Sequence, residues 1–225
     1  MLRLRPNVSA EALQAHLVDA ERASLESTFA TLAADSSLSR AAALILASRR
    51  KYIAGAGKSA AYAALLNADL AATLPNVMLI GAGLSATDVL SDVRSSDVCV
   101  VFSVRRYRAE TVRLGRLFAR SGGHLVVVTD DPRAPLAGSA SALILVDTGS
   151  ASYADSPTAM AAVCHLLSSL ASASAKGARR RLANRDVATA ELGLYWDESS
   201  DSLEPDADGT PPIIHSPTEE SESIS

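Results

Sequence analysis

Five short apolar runs, at 51–54, 77–80, 98–103, 125–129 and 143–146, constrain this chain more than any other feature. They are rich in β-branched residues and show no period-two alternation, the pattern of strands covered on both faces. Helical segments separate them at 59–74, 86–94 and 109–120, with a short one at 135–139. Strands that alternate with helices predict an α/β fold, a three-layer αβα sandwich with a five-stranded parallel sheet and right-handed crossovers. Aromatic residues make up only 4% of the 225, and alanine is abundant, so small aliphatic side chains must bring the helices close to the sheet.

The flanks are helical. Ser9 can cap a helix carrying Leu13, Leu17, Leu25, Phe29 and Leu32, and a second helix is expected at about 38–48. Residues 1–50 are thus read as N-terminal helices packed on a domain spanning 51–196. After the fifth strand, Ser156 and Pro157 supply an N-cap and first-turn pair for a helix through Met160, Val163, Leu167 and Leu170. A basic helix at about 175–192 closes the domain. Residues 196–225 hold nine acidic side chains and no Lys or Arg, which predicts an acidic disordered tail over 197–225. No stretch reaches the roughly 18 uncharged apolar residues of a membrane span, and no leader pattern opens the sequence, so the expected location is cytoplasmic. Cys99 and Cys164 lie in apolar contexts without CxxC spacing, and no metal site or cofactor is expected.

Two turns carry the chemistry. The first is Gly55-Ala56-Gly57-Lys58-Ser59, between a strand and a helix, where glycines allow a tight turn and free amides face an anion. The spacing is not that of a P-loop, and no acidic residue ends the second strand as a dinucleotide site requires. The second turn follows the third strand and holds Ser103, Arg105, Arg106, Arg108, Glu110 and Thr111. In an open α/β sheet, ligands sit beyond the strand carboxyl ends at the switch point, so the two turns should be neighbours. The three arginines cannot all face one ligand; at least one is expected to pair with Glu110 or to point to solvent.

These motifs, in this order, resemble the SIS (sugar isomerase) domain, in the version found in RpiR/MurR-type transcriptional regulators. The resemblance rests on the glycine turn 55–59 and on Ser103, Arg106, Tyr107, Glu110 and Thr111. It extends to Thr129-Asp130 with Pro135-Leu136-Ala137, Asp155-Ser156 and the closing Leu192-Gly193-Leu194-Tyr195. It covers about residues 10–196 and implies a flavodoxin-like sheet, recognition of a phosphorylated sugar, and a homodimer. The regulator pattern usually has Ser or Thr where this chain has Arg108. Those regulators begin with a helix-turn-helix domain, for which 50 residues before the first strand leave no room, so no direct DNA binding is expected.

Ligand contacts are therefore expected from Gly55, Gly57, Lys58, Ser59, Ser103, Arg105, Arg106, Arg108, Thr111 and Ser156. An aldose/ketose isomerase needs a general base, and Glu110 and His165 are the candidates, although pairing with arginine would weaken Glu110 and packing would occupy His165. A phosphosugar-binding module with a sensing or regulatory role in sugar-phosphate or amino-sugar metabolism is the leading reading. A sugar-phosphate isomerase or lyase, and a degenerate dimeric scaffold, are the alternatives.

Overall fold

A computed structural model describes residues 9–196. The expected acidic tail over 197–225 lies outside the described residues. All five strands form: β1 Arg50–Gly55, β2 Val77–Leu79, β3 Asp97–Phe102, β4 His124–Thr129 and β5 Ala142–Leu145. They make one parallel sheet in the order β2-β1-β3-β4-β5, with the reversal of winding between β1 and β3.

Successive side chains of each strand point to opposite layers, and both layers are apolar. Ile53, Val100, Phe102, Val126, Val128 and Ile144 face α2 (Ser37–Ala47), α3 (Lys58–Thr73) and α6 (Thr158–Ala173). Tyr52, Ala54, Cys99, Val101, Leu125 and Val127 face α4 (Ala86–Ser91) and α5 (Ala109–Arg120). Alanines at 41, 42, 63, 159 and 171 are buried between the helices and the sheet, which is how a chain poor in aromatics closes its core. Close approach also requires Gly115, where a Cβ would stand 2.9 Å from the Leu136 side chain.

Helix α1 (Ala10–Ala34) is capped by Ser9, whose hydroxyl accepts the Ala12 amide at 3.2 Å. It is tied to the chain after β5 by two hydrogen bonds: Ser24 Oγ donates to the Asp147 carbonyl at 2.7 Å, and the Asp147 amide donates to Thr28 Oγ1 at 3.0 Å.

The amino ends of β1 and β3 hold a charge cluster. Asp97 is fully buried, and both of its carboxylate oxygens take hydrogen bonds from Arg50, at 3.0 and 2.6 Å. Burial alone pushes the Asp97 carboxyl up, but Arg50 and the Arg94 amide outweigh it and hold it below its ordinary value. Helix α4 stops at Ser91, earlier than the expected 94, because Asp92 leaves helical geometry and binds Arg50 and Arg94. The short helical segment at 135–139 is a single 3-10 turn, Ala137–Ser139.

The described chain divides into two units, one running through Arg185 and one starting at Asp186. The basic segment forms α7, Ala178–Glu191. Its end is a glycine-dependent cap: Gly193 takes φ +58°, its amide donates to the Ala190 carbonyl, and the Leu194 amide donates to that of Thr189. Among the described residues, no single helix is long and apolar enough to cross a membrane.

Candidate functional site

A cleft of about 490 Å³ opens at the carboxyl ends of β1 and β3, where the winding reverses. Three segments build it: the turn from β1 into α3, the turn from β3 into α5, and the residues leading into α6.

The first segment is shaped by its glycines. A Cβ at Gly55 would stand 2.3 Å from the Ser59 carbonyl oxygen, so the first turn of α3 can fold back over this position only if it is glycine. Gly57 is the N-cap of α3 at φ +62°, a left-handed conformation that glycine adopts without strain, and no side chain caps the helix. The opening amides of α3 are consequently left to a ligand or to water, at the positive end of a 16-residue helix. Ser59 is buried at the cleft wall, and Lys58 Nζ donates to the Asp155 carbonyl across it.

The second segment starts with Ser103. Its residue is 3% exposed, it lines the cleft, and its Oγ is a buried hydroxyl without a hydrogen-bond partner among the described residues. A buried unpaired hydroxyl costs about 1–3 kcal/mol, so a polar ligand atom there would recover that cost. Arg106 and Arg108 also line the cleft. Arg108 lies over the glycine turn, with Nη2 3.0 Å from where a Gly57 Cβ would be. Tyr107 donates its hydroxyl proton to Asp130 at 3.1 Å, and burial, aided by Asp130, pushes its phenol up.

In the third segment Ser156 is buried, and its hydroxyl donates to Glu21 of α1 while accepting the Thr158 amide at 3.1 Å. Thr158 Oγ1 also donates to Glu21, at 2.5 Å. The hydrogen bonds from Ser156 and then Thr158 hold the Glu21 carboxyl below its ordinary value. Asp155 lines the cleft beside them.

Of the residues expected from sequence, Lys58, Ser59, Ser103, Arg105, Arg106, Arg108 and Ser156 line this one cleft. Gly57 shapes it, and Thr111 is buried in α5 behind the turn. Gly55 and Glu110 line a neighbouring cavity, with Ile80, Gly81, Ser85 and Leu114. The expected arginine pairing of Glu110 does not form: no ion pair reaches it among the described residues, and Arg105 instead lies 3.9 Å from Asp130 and from Asp131. His165 is exposed on α6 and lines neither cavity, because it falls one position after the buried Val163-Cys164 stripe. Ser156 lies just outside α6, whose N-cap position is Pro157, yet its hydroxyl still satisfies the first helical amide. Nothing local pointed to Glu21, which reaches Ser156 from 135 residues away. Asp155 stands in the Asp-Ser motif, but nothing local marked it as a cleft residue.

A doubly wound parallel sheet with a polar cleft at its switch point is an open α/β domain of the kind that seats ligands at strand carboxyl ends. Residues 31–170 match the family model of the SIS domain, and the chain belongs to the SIS domain family. No curated protein matches the sequence. Solved structures agree on the fold. The sugar isomerase domain of an RpiR transcription factor from Sphaerobacter thermophilus is 23% identical, with a TM-score of 0.70 over 78% of this chain and 98% of that one. The Vibrio vulnificus NanR protein, solved with ManNAc-6P, is 15% identical, with a TM-score of 0.68 over 80% of this chain and 69% of its own. Protein MJ1247 from Methanococcus jannaschii, whose structure was taken to indicate a 3-hexulose-6-phosphate isomerase, is 10% identical. Its TM-score is 0.56, over 82% of this chain and 98% of that one.

Proposed function

We propose that the chain binds a phosphorylated sugar in the cleft between β1, β3 and α6, as a sensing or regulatory module. The observation that carries this reading is Ser103 Oγ, buried without a hydrogen-bond partner among the described residues and lining the same cleft as the uncapped start of α3. The phosphate is held by the amides at 57–59 and by the hydroxyls of Ser59 and Ser103. Arg106 and Arg108 supply the opposing charge. Membership of the SIS family and the NanR structure with ManNAc-6P support a sugar phosphate over a simple anion. The domain is read as residues 51–196 with helices of 1–50 packed on it, acting as a cytoplasmic homodimer without direct DNA contact.

A second reading, sugar-phosphate isomerase, is favoured by one observation: Asp155 lines the cleft, and its carboxylate enters no ion pair among the described residues. It can accept a proton from a bound sugar. Release of the isomeric product from an aldose phosphate would select this reading.

Thermal unfolding in the presence of hexose, pentose and amino-sugar phosphates tests binding, with inorganic phosphate as the control. A ligand at about 100 times its Kd adds about 2.7 kcal/mol, or roughly 5–10 °C for a domain of this size. Ser103→Ala should abolish the shift while leaving the unliganded protein as stable or slightly more so, since the unpaired hydroxyl is gone. A flat response to every sugar phosphate would defeat the proposal.

A further inference from the structure

The two sides of the cleft differ in what they can offer a ligand. On one side are donors: the amides at 57–59, Ser59, Ser103, Arg106 and Arg108. On the other, Ser156 is a hydroxyl with one proton and two lone pairs. Its proton goes to Glu21, and the Thr158 amide occupies one lone pair at 3.1 Å. One lone pair remains, so toward the cleft Ser156 can only accept. Glu21 stays ionised because both Ser156 and Thr158 donate to it, and this fixes the direction of the Ser156 proton. The Asp155 carboxylate, on the same side, is also an acceptor.

The same character continues beyond the cleft. A second cavity of about 460 Å³ shares Arg105, Thr148 and Asp155 with it and adds Asp130 and Asp147. Its one cation, Arg105, already lies 3.9 Å from both Asp130 and Asp131. An anionic group entering from the cleft would meet Glu21, Asp155, Asp130 and Asp147 against two cations, Lys58 at the Asp155 carbonyl and Arg105. Carboxylates outnumber cations there, and repulsion of that kind is a means of discrimination.

We propose that the site selects sugar phosphates whose end remote from the phosphate carries only hydroxyl or ammonium donors, and rejects those with a second anionic group there. Glu21 is the positioning residue that turns Ser156 into an acceptor. This rests on the phosphosugar reading above and narrows its substrate class.

A matched pair of ligands tests it: glucitol 6-phosphate and 6-phosphogluconate differ only in a terminal CH₂OH against a carboxylate. Calorimetric titration of the full chain at neutral pH should give a Kd at least about tenfold weaker for the gluconate, the scale of one misplaced charged contact. In Glu21→Ala the oxygen that accepts from both Ser156 and Thr158 is gone, freeing the Ser156 hydroxyl proton. The gap between the two ligands should then narrow several-fold while the Kd for inorganic phosphate holds. A merely loosened fold would weaken all three alike. Should that variant fail to fold, Ser156→Ala removes the acceptor itself and should weaken glucitol 6-phosphate but not inorganic phosphate. Equal affinities in the native protein, or a gap unchanged in both variants, would overturn the selectivity while leaving phosphosugar binding intact. No binding of either sugar phosphate would remove the phosphosugar reading and this inference together.

Discussion

Arg108 has two opposed consequences. It occupies the N-cap of α5, where a Ser or Thr hydroxyl would accept a helix amide; a guanidinium has no acceptor, and no side chain caps this helix. Its charge also stands over Gly57, at the positive start of α3. Both effects destabilise the empty protein, and a bound anion offsets the second. Arg108→Ser should therefore raise the unfolding free energy in urea by about 1 kcal/mol, while weakening inorganic phosphate by roughly tenfold, the loss of one charge-assisted hydrogen bond. A variant that is stabilised with unchanged phosphate affinity would take Arg108 out of the site. Most of the cleft was legible at this scale because the residues that form the two turns are adjacent in sequence. Glu21 was not, because an acid on an amphipathic helix carries no local mark of the hydroxyl it will meet after folding. Glu110 was misplaced for a related reason. It follows the arginines in sequence, but the start of α5 directs it to the cavity on the other side of the glycine turn.

Among the elements, the strands were the most readable. Runs buried on both faces need apolar residues at every position, and no other element gives that pattern at such short length. Two exceptions were not foreseen. Lys51 is buried in β1, its amine donating to the Ser48 carbonyl at 2.6 Å, and burial pushes its pKa down. Asp97 starts β3 fully buried, with Arg50 as its partner across the β1–β3 pair. Asp97→Ala removes both hydrogen bonds from Arg50, which keeps Asp92 as a partner, and should cost about 1.5–3 kcal/mol in urea unfolding. The pH dependence has a definite sign. Folding lowers the Asp97 carboxyl below its ordinary value of 3.8, so the stabilisation is complete above that value and disappears as pH falls through the lower, folded one. Asp97→Ala should lack this acid-dependent loss, and a variant with the native acid profile would assign that loss to other carboxylates.

For the whole molecule, the order β2-β1-β3-β4-β5 brings two turns, 55–59 and 103–108, to one end of the sheet, although 43 residues lie between Ser59 and Ser103 in the chain. Register does this: Gly55 pairs with Phe102, so the residues that follow each strand leave the sheet side by side. The parallel topology agrees with what the strand and helix pattern implied, and the SIS family with the resemblance carried by the motifs of the two turns. What the pattern did not show was polarity across the cleft, which depends on α1 contributing Glu21 from beyond the β/α repeat. The most direct test of the central claim is to follow backbone amide resonances of the isotope-labelled protein while glucitol 6-phosphate is added. The account predicts that Gly57, Lys58, Ser59 and Ser103 shift together along one binding curve, with the basic residues Arg179, Arg180 and Arg181 of α7 unmoved. Shifts confined to those arginines, with the glycine turn still, would show that the phosphate is drawn to surface charge and would contradict the account.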